Sequence, residues 1–135
     1  MARTYAISIK QPWATLVVAG IKTIEVRSWL THWRGRILIH AARVPDDRSE
    51  GWAHVTDDIR PLTKLGGGVI GEAILTECRH YADLAQFTQD SKLHLNAPEW
   101  FQTKGLYGFV LGSVKQKPFQ RWPGNVRLFT VEEST

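Results

Sequence analysis

Gly20-Ile21-Lys22-Thr23-Ile24-Glu25-Val26-Arg27 places three charged side chains around a single helix-to-strand turn. Upstream, Gln11-Pro12 opens a short helix, with proline where its missing N–H costs least. Trp13, Leu16 and Val17 form the buried stripe of that helix, and Gly20 ends it as a left-handed cap. Downstream, a strand from about Thr23 turns Ile24 and Val26 to the core, with Thr23, Glu25 and Arg27 on the opposite face. Lys22 falls in the turn, free to lean over that polar face.

The remaining elements are read from the same periodicities. Residues 4–10 alternate, with Tyr5, Ile7 and Ile9 facing inward, as a strand requires. Residues 29–35 form a loop, and Arg36 to Ala42 a strand apolar on both sides. Asp46 and Asp47 mark the start of a helix running to about Asp57, where acids favour the positive end. Gly66-Gly67-Gly68 turns into a strand from Val69 to Cys78. Short helices are expected near Asp83–Phe87 and after Asn96-Ala97-Pro98-Glu99. Leu106 to Val114 is a strand in which Gly108 and Gly112 permit bulges or close packing, and Asn125 to Val131 is the last. Five or six strands with two or three helices, and no regular βαβ alternation, predict an α+β fold. The expected form is a small, strongly bent or closed sheet with flanking helices, residues 1–135 making one domain.

Charge is unevenly spread. Residues 1–43 carry seven Lys or Arg against one acid, Glu25, in a chain of net charge +4. Such polarity points to an anionic partner. No apolar run approaches the ~20 residues that cross a bilayer, so no membrane association is expected. Met-Ala-Arg-Thr leads straight into a strand pattern, which predicts neither a signal nor a transit peptide and a cytoplasmic location. The single cysteine, Cys78, excludes an internal disulfide, and the five histidines show no ligand spacing. No metal and no cofactor are expected.

Several segments together resemble a known family. Ser8-Ile9-Lys10-Gln11-Pro12-Trp13-Ala14, Gly20–Arg27, Arg34-Gly35, Ile39-His40-Ala41-Ala42 and Tyr107-Gly108-Phe109-Val110 occur in order. They resemble the ASCH domain, the activating-signal-cointegrator homology module of the PUA-like superfamily of small mixed β-barrels. The signature Gly-x-Lys-x-x-Glu-x-Arg is complete at Gly20, Lys22, Glu25 and Arg27. The resemblance covers about Thr4 to Val131. It implies a cleft between the sheet and the first helix, lined by the charged residues of the signature, and work on or near RNA. Some small bacterial members look like amidohydrolases that remove the acetyl group of an acetylated cytosine nucleoside. Those members place a threonine three positions after the lysine. Here that position is Glu25, which cannot replace a threonine nucleophile.

Lys22 and Arg27 can hold phosphate or a base edge with Glu25 orienting them, or Glu25 and Arg27, on one strand face, can form an ordinary ion pair. Ser8 and Lys10 extend the polar floor if their strand lies beside the second. Gln11 can present its amide to a base. Trp13 reads as core, and His40 as a hydrogen-bonded core histidine. The six tryptophans read mostly as core or half-buried anchors, but Trp29 and Trp33 also sit among Arg27, Arg34 and Arg36, as stacking beside a phosphate chain requires, with Arg43 further along. Glu72, between Ile70 and Ile74, is either an edge glutamate in water or a half-buried carboxylate. If Lys22 were its partner, the two would form an acid/base couple.

These residues predict binding of RNA, other single-stranded nucleic acid or a nucleotide through Ser8, Lys10, Gln11, Lys22, Glu25, Arg27, Trp29, Arg34 and Arg36. The alternative is a small hydrolase of a modified nucleoside or of RNA, using Lys22, Glu25 and Glu72. A third reading, an adaptor docking through exposed tryptophans, fits poorly with so basic an N-terminal third.

Overall fold

The computed structural model describes residues 2–134. Six strands form one mixed sheet: β1 (Arg3–Ile9), β2 (Ile24–Arg27), β3 (Gly35–Ala41), β4 (Gly68–Tyr81), β5 (Leu106–Arg121) and β6 (Phe129–Glu132). Their order is β2-β5-β4-β3-β1-β6. β1 and β3 run parallel, and every other neighbouring pair is antiparallel. The helices are short: α1 (Trp13–Val18), α2 (Ser49–Trp52), α3 (Leu84–Gln89) and α4 (Ser91–His94), with 3₁₀ turns at Arg60–Lys64 and Pro98–Trp100. The fold is α+β, as expected, but backbone pairing does not close the sheet into a barrel.

The sheet nevertheless curls strongly. Edge strand β2 stands four positions from β1 in the strand order. In a flat sheet that would separate them by about 19 Å. Instead Arg27 Nη2 of β2 donates to the Ser8 carbonyl of β1 at 2.6 Å. A side chain therefore spans the gap that a barrel would close with a ladder.

α1 fills the hollow of this bent sheet. All six of its residues are buried, not only the expected stripe of Trp13, Leu16 and Val17. Ile7, Ile9, Ile37, Ile39, Leu75 and Phe109 meet it from the strands. Gln11 seals the other side: its Nε2 donates to the Leu62 and Leu65 carbonyls, each at 3.1 Å. Its Oε1 accepts from Thr15 N at 3.0 Å and Thr15 Oγ1 at 2.8 Å, tying down the first turn. Gln11 is thus fully engaged in holding α1 and offers no amide to a ligand. β3 is apolar on both faces because a second small core lies behind it, where Leu38 meets Ala6, Val69 and Val131.

Gly20 has the expected left-handed backbone, φ 77°. Its N–H donates to Val17 O, and the N–H groups of Ile21 and Lys22 both donate to Leu16 O. This C-terminal motif satisfies the free carbonyls and reverses the chain at once.

Four elements depart from expectation. The helix from Asp46 to Asp57 shrinks to Ser49–Trp52; its start is delayed because the Asp46 carboxylate accepts from Arg48 N at 3.0 Å and holds that residue extended. The strand from Val69 runs on to Tyr81, and the one from Leu106 continues to Arg121, each irregular in register where bulges bend the pair. Residues 125–128 lie in a loop, and the last strand starts only at Phe129.

A Cβ on Gly71 would lie 2.6 Å from Val18 and 2.7 Å from the Lys115 carbonyl, so α1 seats on the sheet only over bare backbone. Gly71→Ala is expected to destabilise the protein by ~1–3 kcal/mol through overpacking, measured as a lowered urea midpoint at unchanged slope.

Candidate nucleic-acid interface

The gap between β1 and β2 opens into a cavity of about 400 Å³. Ser8, Ile9 and Lys10 border it on one side and Glu25, Val26 and Arg27 on the other, with Lys22 and Trp13 at its base. The loops bearing Asp46, Arg48, Asn96 and Trp100 complete the wall.

Lys22 is the unexpected centre of this arrangement. Far from leaning out of an open turn, it is only 1% exposed. The tight reversal after α1 points it inward, and Thr23 N donates to Leu93 O at 3.0 Å, which docks the α4 segment over it. Its Nζ donates to the His94 carbonyl and, at 3.2 Å, to Asn96 Oδ1. Glu25 Oε1 lies 3.7 Å away, and the Trp13 ring centroid 4.8 Å. Burial outweighs the attraction of Glu25 and pulls the Lys22 pKa down from 10.5 to about 8.

Glu25 joins the two cations. Its other oxygen, Oε2, accepts from Arg27 Nη2 at 2.9 Å and Nε at 3.1 Å. Two positive groups thus flank one carboxylate at the cavity floor. Nη1 of Arg27 has no protein partner among the described residues and remains an open donor in a half-buried side chain.

The rim is a ladder of aromatic and charged groups. Asp46 is buried, accepts from Trp13 Nε1 at 2.8 Å, and pairs with Arg48 Nη2 at 2.8 Å. The Arg48 hydrogen bonds hold the Asp46 carboxyl well below the usual carboxylate range, so it stays ionised. The Arg48 guanidinium lies 3.7 Å from the Trp100 ring centroid, and Trp100 meets Trp13 edge-on at 6.0 Å.

The sequence-predicted residues divide. Ser8, Lys10, Lys22, Glu25 and Arg27 come together, although β1 pairs with β3 and β6, not with β2. Trp29 packs edge-on against Phe109 at 5.0 Å and borders a neighbouring recess shared with Arg27, Arg48, Asn96 and Trp100. Arg34 bonds its own loop, donating to Thr31 O and Trp33 O, and Trp33 packs on Tyr5 outside the cavity. Arg36 is held by Glu133 at 2.6 Å and Glu72 at 2.8 Å. Glu72 therefore pairs with Arg36, beside Lys115 and Lys117, and not with Lys22. The acid/base couple considered for Lys22 and Glu72 is not formed, because β4 turns Glu72 towards Arg36 on adjacent β3. Thr23, the hydroxyl nearest the signature lysine, does not line the cavity.

His40 is buried, as expected, its ring nitrogens 2.9 Å from Ser8 Oγ and 2.6 Å from the Trp122 carbonyl; burial lowers its pKa. Asp46, Arg48, Asn96, Trp100 and Asn125 were not anticipated as site residues. Trp100 comes from the 3₁₀ turn Pro98–Trp100 and the others from loops, whose approach no strand or helix period encodes; the one local signal was an aromatic, Trp100, just after Asn96-Ala97-Pro98-Glu99. Among the described residues, no group of three or more His, Cys, Asp or Glu could hold a metal ion, and no helix is long and apolar enough to cross a membrane.

A bent mixed sheet, an enclosed first helix and a Lys-Glu-Arg cavity between them define a small α+β module with a charged cleft. The chain belongs to the ASCH domain family, whose model matches residues 7–118. Over 37 residues it is 54% identical to activating signal cointegrator 1 of Homo sapiens, a stretch covering 27% of this chain and 6% of that protein. The Mus musculus protein of the same name matches equally. The crystal structure of ASCH from Zymomonas mobilis superposes with a TM-score of 0.68 at 18% identity, over 96% of this chain and 88% of that one. A mutant of the Zymomonas protein gives 0.69 at 16%, over 96% and 89%. At such identities the likeness is one of fold.

Lys22 ties folding to pH. Its folded pKa of about 8 lies below the ordinary 10.5, so between those values the unfolded chain binds more protons and stability rises with pH. The slope from this group approaches ~1.4 kcal/mol per pH unit. Lys22→Met is expected to remove that rise, read from urea unfolding at pH 7.5 to 10.5 against wild type.

Proposed function

We propose that the cavity between β1 and β2 binds single-stranded nucleic acid or a nucleotide. The observation that carries this is the convergence of Lys22 and Arg27 on one carboxylate, which leaves an excess positive charge at the floor of a half-enclosed cavity. Membership of the ASCH family agrees with contact to nucleic acid at a coarse level. In this reading the two cations act differently. Lys22 has its donors engaged and supplies field from below. Arg27 offers its open Nη1 to a phosphate oxygen or base edge, with Glu25 fixing the plane of the guanidinium. Lys10, exposed at the mouth, adds a mobile charge, and Trp100 supplies the aromatic surface first sought in Trp29 and Trp33.

Arg27→Ala and Trp100→Ala are each expected to weaken binding of a fluorescein-labelled single-stranded oligonucleotide by ~1–3 kcal/mol in anisotropy titrations. Unchanged dissociation constants in both variants would remove the proposal. Wild-type affinity should also fall as pH rises through about 8, where Lys22 loses its proton, and Lys22→Met should flatten that profile.

A second reading rests on the same lysine. An amine with a pKa of about 8, 3.7 Å from a carboxylate, can serve as a general base, as hydrolysis of an acetylated cytosine nucleoside or of RNA would require. Glu72 takes no part in this version. Incubation with acetylated cytidine and with unstructured RNA tests it: turnover abolished in Lys22→Met would place hydrolysis first, and absence of product on both would leave binding alone.

A further inference from the structure

The charged cavity has a larger neighbour. A second hollow of about 690 Å³ adjoins it, with Ser8, Lys10, Ala42, Asn125 and Val126 in the wall common to both. Its character differs. Val44, Trp122 and Pro123 make much of its surface apolar, and Arg43 and Arg121 stand on its rim beside Lys10. No acidic side chain lines it. Among the described residues, no carboxylate forms an ion pair with Lys10, Arg43 or Arg121. In the first cavity, by contrast, Glu25 and Asp46 sit against cations.

The base of the second hollow is built tightly. His40 bridges Ser8 Oγ and the Trp122 carbonyl. A Cβ on Gly124 would stand 2.9 Å from both His40 Cε1 and Ser8 Oγ, so only glycine lets the 122–126 loop settle onto this base. Lys10 stands where the two hollows meet.

An occupant matching the second hollow would present a largely apolar body and negative charge, and the shared wall would let it run on into whatever fills the first. A nucleotide joined through its phosphate to another nucleotide has that chemistry. We propose that the two hollows form one site for two consecutive nucleotides of a single strand. The first nucleotide lies over Glu25 and Arg27. The linking phosphate passes Lys10, and the second base rests in the hollow of Trp122 and Pro123, its flanking phosphate drawn to Arg43 and Arg121. This rests on the reading of the charged cavity given above, and it adds a length and a register to it.

Affinity measured against ligand length tests the inference. Nucleoside 5′-monophosphates, dinucleotides and trinucleotides, in ribo and deoxyribo forms, are titrated calorimetrically at fixed low salt. A dinucleotide is expected to bind at least ~10-fold more tightly than a monophosphate, as one stacked base and one phosphate allow, with a smaller gain from the third unit. The double variant Arg43→Gln/Arg121→Gln, at two exposed positions, should remove that gain and leave monophosphate affinity within about two-fold. Preference for the ribo over the deoxyribo series tells RNA from DNA. Monophosphate binding without a gain for the dinucleotide would overturn the two-nucleotide site and leave the charged cavity standing. A gain that survives in the double variant would likewise overturn it. Binding of no ligand in the series would sink both proposals together.

Discussion

One buried ammonium organises the functional end of this molecule. Taking a lysine out of water is costly unless hydrogen bonds and an opposite charge replace the lost hydration. Lys22 meets that demand with the His94 carbonyl, Asn96 Oδ1, the Glu25 carboxylate and the face of Trp13. Each partner belongs to a different part of the chain: the α4 turn, the loop after it, β2 and α1. Satisfying one charge therefore pins four segments against one another. The same demand sets the direction of Glu25, and through Glu25 the plane of Arg27.

Arg27 carries the constraint onward to the sheet. β2 ends at an edge of the strand order, yet the Arg27 guanidinium grips the Ser8 backbone of β1. The cavity occupies the place where the sheet nearly meets itself and stops short. A closed ladder there would leave no opening, and a flat sheet would leave no enclosure. Curvature comes from the long β4–β5 pair, whose register slips at three places, and from bare glycine backbone at Gly71 and Gly108, where a Cβ would strike α1 or Tyr81. Packing and site geometry are thus one problem: the bend that seats α1 also brings β2 round to β1.

A separate network keeps the opposite strand face in order. Arg36 joins Glu72 and Glu133 while Lys117 approaches both at 3.6 Å, and Arg36 holds the Glu133 carboxyl down to about 2. This is how two residues singled out for binding or proton transfer, Arg36 and Glu72, are consumed by each other. From sequence they were a cation near tryptophans and a carboxylate in an apolar strand. Their partnership depends on the register Arg36–Ile74 and Leu38–Glu72 between β3 and β4, which local periodicity does not contain.

The ASCH signature of Gly20, Lys22, Glu25 and Arg27 was read by resemblance. Short-range physics was legible in the chain itself: the inward Ile7 and Ile9 of β1 (though Tyr5 is exposed and Ala6 buried), two-sided apolarity in β3 and the glycine stop after α1. Those features follow from couplings between residues two to four apart, so a string of letters carries them. Long-range physics was not. Lys22 looked solvated because nothing near it in sequence covers it; the α4 segment that does so lies about seventy residues on. Asp46 looked like a helix start, and its bond to Trp13 turned it into a wall of the cavity. Arg48 and Asn96 sit in irregular segments and Trp100 in a 3₁₀ turn, and their convergence depends on how the bent sheet returns each segment to the same opening. The residue types able to hold an anion could be named in advance; which of them share a cavity was set by burial and strand register acting across the whole chain.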